Sequence, residues 1–268
     1  MSSYKYAVHY CPGKTLGQED ISALKDELRG LGVQCLTPLP NYQVFSDSPN
    51  ALDDKIIVTA HDTTSTLIAF MSAVLIPIAG LQDPIVHTGL TCIAPTARKQ
   101  NLIVELLMRL FHRHFALSPR TCVVTTRSNM ASSLVSTAIY NTAVFPSPAL
   151  AAPSAAHLHV AREISRRHRG KMLISPAAVL DEETFVFRGS NDTPDGRCFV
   201  KDPADKRNWH TDAEMTQYYL GLLGGRGSDE ILQVGWFSPG QMRRVLEAEK
   251  FRGNAFAERQ AKALRGNL

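Results

Sequence analysis

The chain has 268 residues, 44% hydrophobic and 20% charged, with a formal net charge of +4. That suffices for a full core in one large domain or one domain with an extension, and the basic excess is too small for a nucleic-acid binder. The longest apolar stretch, STLIAFMSAVLIPIAG, is broken by serines and ends in Pro77 and Gly80, short of the roughly 20 residues that span a bilayer, so no membrane partner is expected.

The N-terminal MSSYKYAVHY lacks the basic start, apolar middle and small-residue cleavage site of a signal peptide, and a cytoplasmic location is the expectation. YAVHYC alternates like a strand. LGQEDISALKDELRGLG then places Ile21, Leu24, Leu28 and Leu31 at helical spacing, with Gly32 as its stop. KIIVTAHD and STLIAFMSAVLI are apolar runs separated by the turn-rich DTTS, which predicts a hairpin. IVHTGLTCIAP reads as a strand ending at Pro95, and from Ala97 the period changes, with Leu102, Leu106, Leu107, Leu110, Phe111 and Phe115 on one helical stripe. RTCVVTTRS is another strand, and NMASSLVSTAIYNTA a helix that Ser128 or Asn129 could cap.

Around residue 146 the texture changes. FPSPALAAPSAA reads as a linker or ordered loop into an extension, followed by a helix-like AAHLHVAREISRRH and a strand-like TFVFRG. A turn-rich SNDTPDG, a strand-like RCFVKD, a helix TDAEMTQYYLGLL and a strand-like EILQVGWF come next. The tail from Pro239 is a charged helix with one weak apolar face of Met242, Val245, Leu246 and Phe251. Arg162, Arg166, Arg167, Arg169 and Lys171 crowd one segment without aromatics, which reads as a solvated helix face.

The element order, carried by HTGLTCIAPTARKQNLIVELLMRLF and CVVTTRSNMASSLVSTAIY, resembles the GCN5-related N-acetyltransferase (GNAT) superfamily. The resemblance implies an α/β fold with a central mixed sheet flanked by helices. Residues 1–150 would form the core, and residues 151–268 a dependent extension that completes the sheet and covers the acceptor side. It implies a strand that splays from its neighbour to admit the pantetheine arm of acetyl-CoA or another acyl-CoA, followed by a loop of the form Gln/Arg-x-x-Gly-x-Gly/Ala. Here that loop is Arg98, Lys99, Gln100, Asn101, Leu102 and Ile103, with its first position kept and both glycines replaced.

Asn101 can keep a left-handed turn, whereas Ile103 would crowd a diphosphate unless it points into the core. Arg98 and Lys99 add attraction for a diphosphate at a helix N-terminus. The plainer alternative is a capped basic loop with no ligand. By the same resemblance, Cys92 and Ile93 at the strand end and Asn129 after the next strand would also contact the cofactor.

Acyl transfer to an amine needs a neutral nucleophile, a donor to the thioester carbonyl and an acid for the thiolate. His87 lies eleven residues before Arg98, where histone-modifying members of the superfamily carry a general-base glutamate, and strand parity puts it on the face of Gly89 and Thr91. A hydrogen-bonded core histidine is the alternative. Tyr140 resembles the family tyrosine that protonates the coenzyme A sulfur, with packing of its helix as the alternative. Cys92 and Cys122 read as inert core thiols.

Five scattered cysteines without a Cys-x-x-Cys pair, and the HLH and HRH pairs without a carboxylate at matching offset, give no expected metal. GLLGGRG follows a helix and is not read as a phosphate loop, and Thr211 or Asp212 is expected to cap the helix after it in NWHTDAEMTQYY. The expected function is transfer of an acyl group from acyl-CoA to an amine or hydroxyl of a small molecule or peptide. The alternative is a GNAT-fold protein without acyl transfer, repurposed for binding or other chemistry. The acceptor, the acyl length and the oligomeric state are left open.

Overall fold

The two apolar runs either side of DTTS form the centre of the sheet. In the computed structural model, which describes residues 4–192 and 201–251, β2 (Lys55–His61) and β3 (Leu67–Ile76) are an antiparallel pair. Both are nearly continuous in apolar residues and buried along their length, as strands covered on two faces must be. β1 (Lys5–Tyr10) adds antiparallel to β2, and β4 (Ile85–Ile93) antiparallel to β3. Between β1 and β2 run α1 (Pro12–Thr15) and α2 (Gln18–Cys35). α2 does not stop at Gly32, as the sequence suggested. That glycine is needed for packing, since a Cβ there would lie 2.6 Å from the Phe45 ring.

α3 (Leu102–Leu117) begins at Leu102 and not at Ala97. Pro95–Ala97 form a 3-10 turn, and Lys99 and Asn101 take left-handed backbone with φ of 66° and 58°, which defers the helix. β5 (Cys122–Ser128) then returns parallel to β4, the one parallel pairing among the described strands. α4 (Ala131–Tyr140) follows, and β6 (Thr142–Phe145), a strand too short to register as a periodic run, opens the proline-rich stretch.

The second half of the chain builds onto the same sheet. After α5 (Ala155–Arg167) come β7 (Val179–Leu180), β8 (Val186–Arg188), α6 (Ala213–Leu223), β9 (Glu230–Phe237) and α7 (Pro239–Phe251). β9 pairs antiparallel with the whole of β5, from Cys122 opposite Phe237 to Ser128 opposite Ile231. The strand order is β1-β2-β3-β4-β5-β9-β8-β7, with β6 also on β9. Val160, Ala161 and Ile164 of α5 pack with Val74, Ile85, Phe185 and Val234, while Tyr219 and Leu223 of α6 pack on Leu134 and Val135 of α4. Met242, Val245 and Leu246 of α7 share a core with Leu106, Leu110 and Phe111 of α3. The strand-like RCFVKD lies mostly outside the described residues.

The basic run is more ordered than a solvated face. Arg162 pairs with Glu182 at 2.6 Å and Lys171 with Asp54 at 2.6 Å. Arg169 donates to the carbonyls of Ser165, Ser175, Pro176 and Ala178, which ties the end of α5 to the turn before β7. His157 completes a capping box with Ser154, and Asp212 caps α6 by accepting from the Met215 amide.

Candidate functional site

β4 and β5 are paired only from Val86 opposite Val124 to Thr88 opposite Thr126. Beyond that, β4 continues to Ile93 and β5 to Ser128 without bonding each other. The two strands therefore splay at their C-terminal ends. A cleft of about 290 Å³ opens there, walled by Ile103, Leu107 and Phe111 of α3 and by Ser132, Ser133, Ser136, Thr137 and Tyr140 of α4. Thr88, Gly89, Thr91, Val124, Thr126 and Arg127 form its floor. At the root of the splay Thr88 and Thr126 touch through their hydroxyls, and Thr137 donates to Thr126 Oγ1 at 3.1 Å.

A bulge in β4 sets which side chains reach the cleft. Met71 lies opposite Thr91 and Ala73 opposite Thr88, so two steps on β3 match three on β4, and one extra residue sits between Thr88 and Thr91. The parity that put His87 with Gly89 and Thr91 fails across this bulge. His87 pairs with Val74 and Thr125, points away from the cleft and is 1% exposed, with Nδ1 3.0 Å from Thr125 Oγ1. Burial, and then the Arg127 guanidinium, push its pKa down to about 3. Such an imidazole stays neutral but is a weak proton acceptor, so the general-base role expected for His87 has no support in this geometry.

The bulge also explains Gly89. The Gln43 carboxamide lies across it, so that a Cβ at Gly89 would fall 2.0 Å from Gln43 Oε1. Gln43 accepts from Ser72 Oγ at 2.9 Å and, at 3.4 Å, from the Leu90 amide, and donates to the Tyr42 hydroxyl at 2.8 Å. Beside this lies a buried ion pair, Arg127 with Glu230, in which Arg127 also donates to Ser190 Oγ at 2.9 Å. Arg127 and Gln43 had given no sequence signal, because their partners are distant in sequence: Glu230 of β9 and Ser190 for Arg127, Ser72 of β3 and Leu90 of β4 for Gln43.

The loop of Arg98, Lys99, Gln100 and Asn101 is exposed and stands over the N-terminus of α3. Asn101 is the N-cap residue in left-handed conformation, the turn expected of it. Leu102 is buried at 3% exposure, whereas Ile103 does not point into the core: it is 50% exposed and lines the cleft. Arg98 Nε lies 3.4 Å from the Ile93 carbonyl, and Gln100 is held by the Tyr4 hydroxyl. Burial and the neighbouring Arg98 lower the pKa of Lys201, a third cation at this end that sequence reasoning missed.

Asn129 is not at the cleft and does not cap α4. Its Nδ2 donates to the carbonyls of Lys201 at 2.6 Å and Gly227 at 3.0 Å, tying β5 to the extension. Ser128 Oγ instead accepts from the Met130 amide. Cys92 is buried and faces Cys35, whose thiol donates to the Ile93 carbonyl at 3.4 Å. The hydrogen bond with Cys92 and the charge of Arg98 lower the pKa of the Cys35 thiol.

Tyr140 does line the cleft, and its hydroxyl donates to Glu249 Oε1 at 3.2 Å. The hydroxyl row of Ser132, Ser136 and Tyr140, four residues apart on one face of α4, was open to reading from the sequence. Among the described residues, no group of three or more His, Cys, Asp or Glu is placed to hold a metal, and no helix is long and apolar enough to cross a membrane.

The sequence matches no protein-family profile and no curated protein. Solved structures to which the chain is similar include aminoglycoside N-acetyltransferase AAC(6')-Iy in complex with CoA, at 15% identity and TM-score 0.33, over 44% of this chain and 73% of that one. Another is an acyl-CoA N-acyltransferase from Pseudomonas aeruginosa, at 16% identity and TM-score 0.35, over 52% and 82%. A third is the GNAT family N-acetyltransferase YhbS from Escherichia coli in complex with CoA, at 15% identity and TM-score 0.26, over 46% and 63%. The splay of β4 from its parallel neighbour β5 is the feature that the resemblance led one to expect.

Proposed function

We propose that this chain, a divergent protein of the GNAT fold, transfers an acyl group from acyl-CoA to an amine or hydroxyl of a small molecule or peptide. The observation that carries the reading is the splay of β4 from β5 after three paired residues, with a cleft running from the N-terminus of α3 to Tyr140 on α4. Arg98 and Lys99, with Lys201 behind them, offer positive charge for a diphosphate, and the first-turn amides of α3 offer donors. The α4 hydroxyls and Ile103 line the path of the pantetheine arm. Amides of β4 beyond the bulge can donate to a carbonyl oxygen, and the Tyr140 hydroxyl can give its proton to the departing sulfur.

Arg127 and Tyr140 are the only ionisable side chains among the described residues lining the cleft. An acceptor amine that meets only these groups would arrive as its free base. The same fact favours a second reading, in which the fold and the cleft are kept for binding and no acyl group is transferred.

Release of free thiol from acetyl-CoA and longer acyl-CoA thioesters, followed with a thiol reagent against a panel of primary amines and N-terminal peptides, separates the two. The transferase reading expects acceptor-dependent release. Tyr140→Phe should lower kcat with little change in KM, and the Arg98→Glu/Lys99→Glu pair should raise the KM for acyl-CoA several-fold. Binding of coenzyme A without release by any acceptor would favour the second reading.

A further inference from the structure

The C-terminal helix reaches back to the two groups that the proposed cosubstrate would need. α7 packs along α3 through Met242, Val245 and Leu246, and Gln241 Nε2 donates to the Tyr140 carbonyl at 3.1 Å. Two residues before its described end, Glu249 is 2% exposed. Its Oε1 accepts from the Tyr140 hydroxyl at 3.2 Å and its Oε2 from Asn101 Nδ2 at 3.2 Å. A single carboxylate thus holds both the N-cap residue of α3, where a diphosphate would sit, and the tyrosine that would protonate a leaving thiolate. The contact joins positions 148 and 109 residues apart, so it belongs to the fold of the full chain and not to local structure.

An anion beside the N-terminus of a helix is stabilised there, and Glu249 is tied to that end of α3 through the side chain of its N-cap residue. A diphosphate brought to the same end would face the like charge of Glu249, which disfavours both being present. A Tyr140 hydroxyl that donates to Glu249 has no proton to offer elsewhere.

We propose that α7 is a plug in cis: Glu249 stands at the edge of the cleft, holding Asn101 and Tyr140 together, and acyl-CoA binds only when that carboxylate is displaced from both. This rests on the transferase reading and adds its regulation. Affinity is then the intrinsic affinity reduced by the fraction of molecules with the plug released, and any partner that draws α7 away raises activity without touching the cleft.

The test is calorimetric titration of coenzyme A into the full chain, wild type against Glu249→Gln and Glu249→Ala, with hydrogen exchange of residues 239–251 followed in the wild type before and after ligand. Glu249→Gln keeps the volume and removes the charge; Glu249→Ala removes both contacts. The plug predicts tighter binding by about tenfold or more for Glu249→Ala, a smaller gain for Glu249→Gln, and faster exchange in α7 when wild type is saturated. Equal or weaker binding by both variants, or slower exchange in α7 on saturation, overturns it while leaving the cleft as the binding site. Absence of coenzyme A binding in all three proteins, each confirmed folded by circular dichroism, overturns the transferase reading and the plug with it.

Discussion

Replacing Gly89 by alanine probes the floor of the cleft directly. The new Cβ would stand 2.0 Å from Gln43 Oε1, 2.1 Å from Nε2 and 2.4 Å from Cδ, so the carboxamide must move by more than an ångström. Gln43 is 5% exposed, and moving it breaks its bonds to Ser72, Tyr42 and the Leu90 amide. At about 0.5–1.5 kcal/mol net for each, and more where a buried group is left unpaired, Gly89→Ala should cost about 2–4 kcal/mol. Urea unfolding followed by circular dichroism measures it.

The double-mutant cycle with Gln43→Ala separates this cause from any other. Gln43→Ala clears the space the methyl group needs, so the two substitutions should couple by about 1–3 kcal/mol, the double variant being more stable than the sum of the singles predicts. A Gly89→Ala variant within about 0.5 kcal/mol of wild type, or strict additivity, would refute the placement of Gln43 across the bulge.

Other outcomes are expected from the same structure. Glu230→Ala should destabilise by about 3–5 kcal/mol, since it leaves Arg127 buried with its counter-charge gone, and Arg127→Leu/Glu230→Leu should recover most of that; an effect below about 1 kcal/mol in the single variant would contradict a buried pair. His87, depressed to about 3, binds no proton in the folded state while the unfolded chain takes one below about pH 6.5. Stability should therefore fall as pH drops from about 6.5 towards 3, by at most about 1.4 kcal/mol per pH unit from this residue, and His87→Gln should flatten that slope; an unchanged slope would show that His87 does not cause it. A fragment ending at Pro153 strips β5 of its β9 partner along its whole length and should not unfold cooperatively; a sharp, reversible transition would show an independent core.

Much of the sheet was legible because its periodicity is local. β2, β3 and β4 announce themselves as β-branched or continuous apolar runs, α3 as a 3.6-residue stripe, and α6 by Asp212 at its cap. What escaped is what depends on distant partners. The bulge between Thr88 and Thr91 leaves no mark in HTGLTC, yet it turns His87 to the far face and brings Thr88 to the near one. Asn129 looks like a cap, but the carbonyls it bonds arrive from residues 201 and 227. The weak apolar face of the tail was visible at Met242, Val245 and Leu246, whereas nothing in sequence linked Glu249 to Asn101 and Tyr140. Within the loop, the left-handed turn at Asn101 could be read from residue type, and the outward course of Ile103 could not.

The most direct test of the central claim, that the β4–β5 splay is the seat of acyl-CoA, is a titration of the isotopically labelled full chain with coenzyme A, monitored by backbone amide chemical shifts. The expected shifts fall on Gly89 to Ile93, on Lys99 to Val104 and along Ser132 to Tyr140, the three segments that wall the cleft, with His87 and Thr125 on the opposite face little changed. Saturable binding whose shifts lie elsewhere, or spectra unchanged at millimolar coenzyme A, would contradict it.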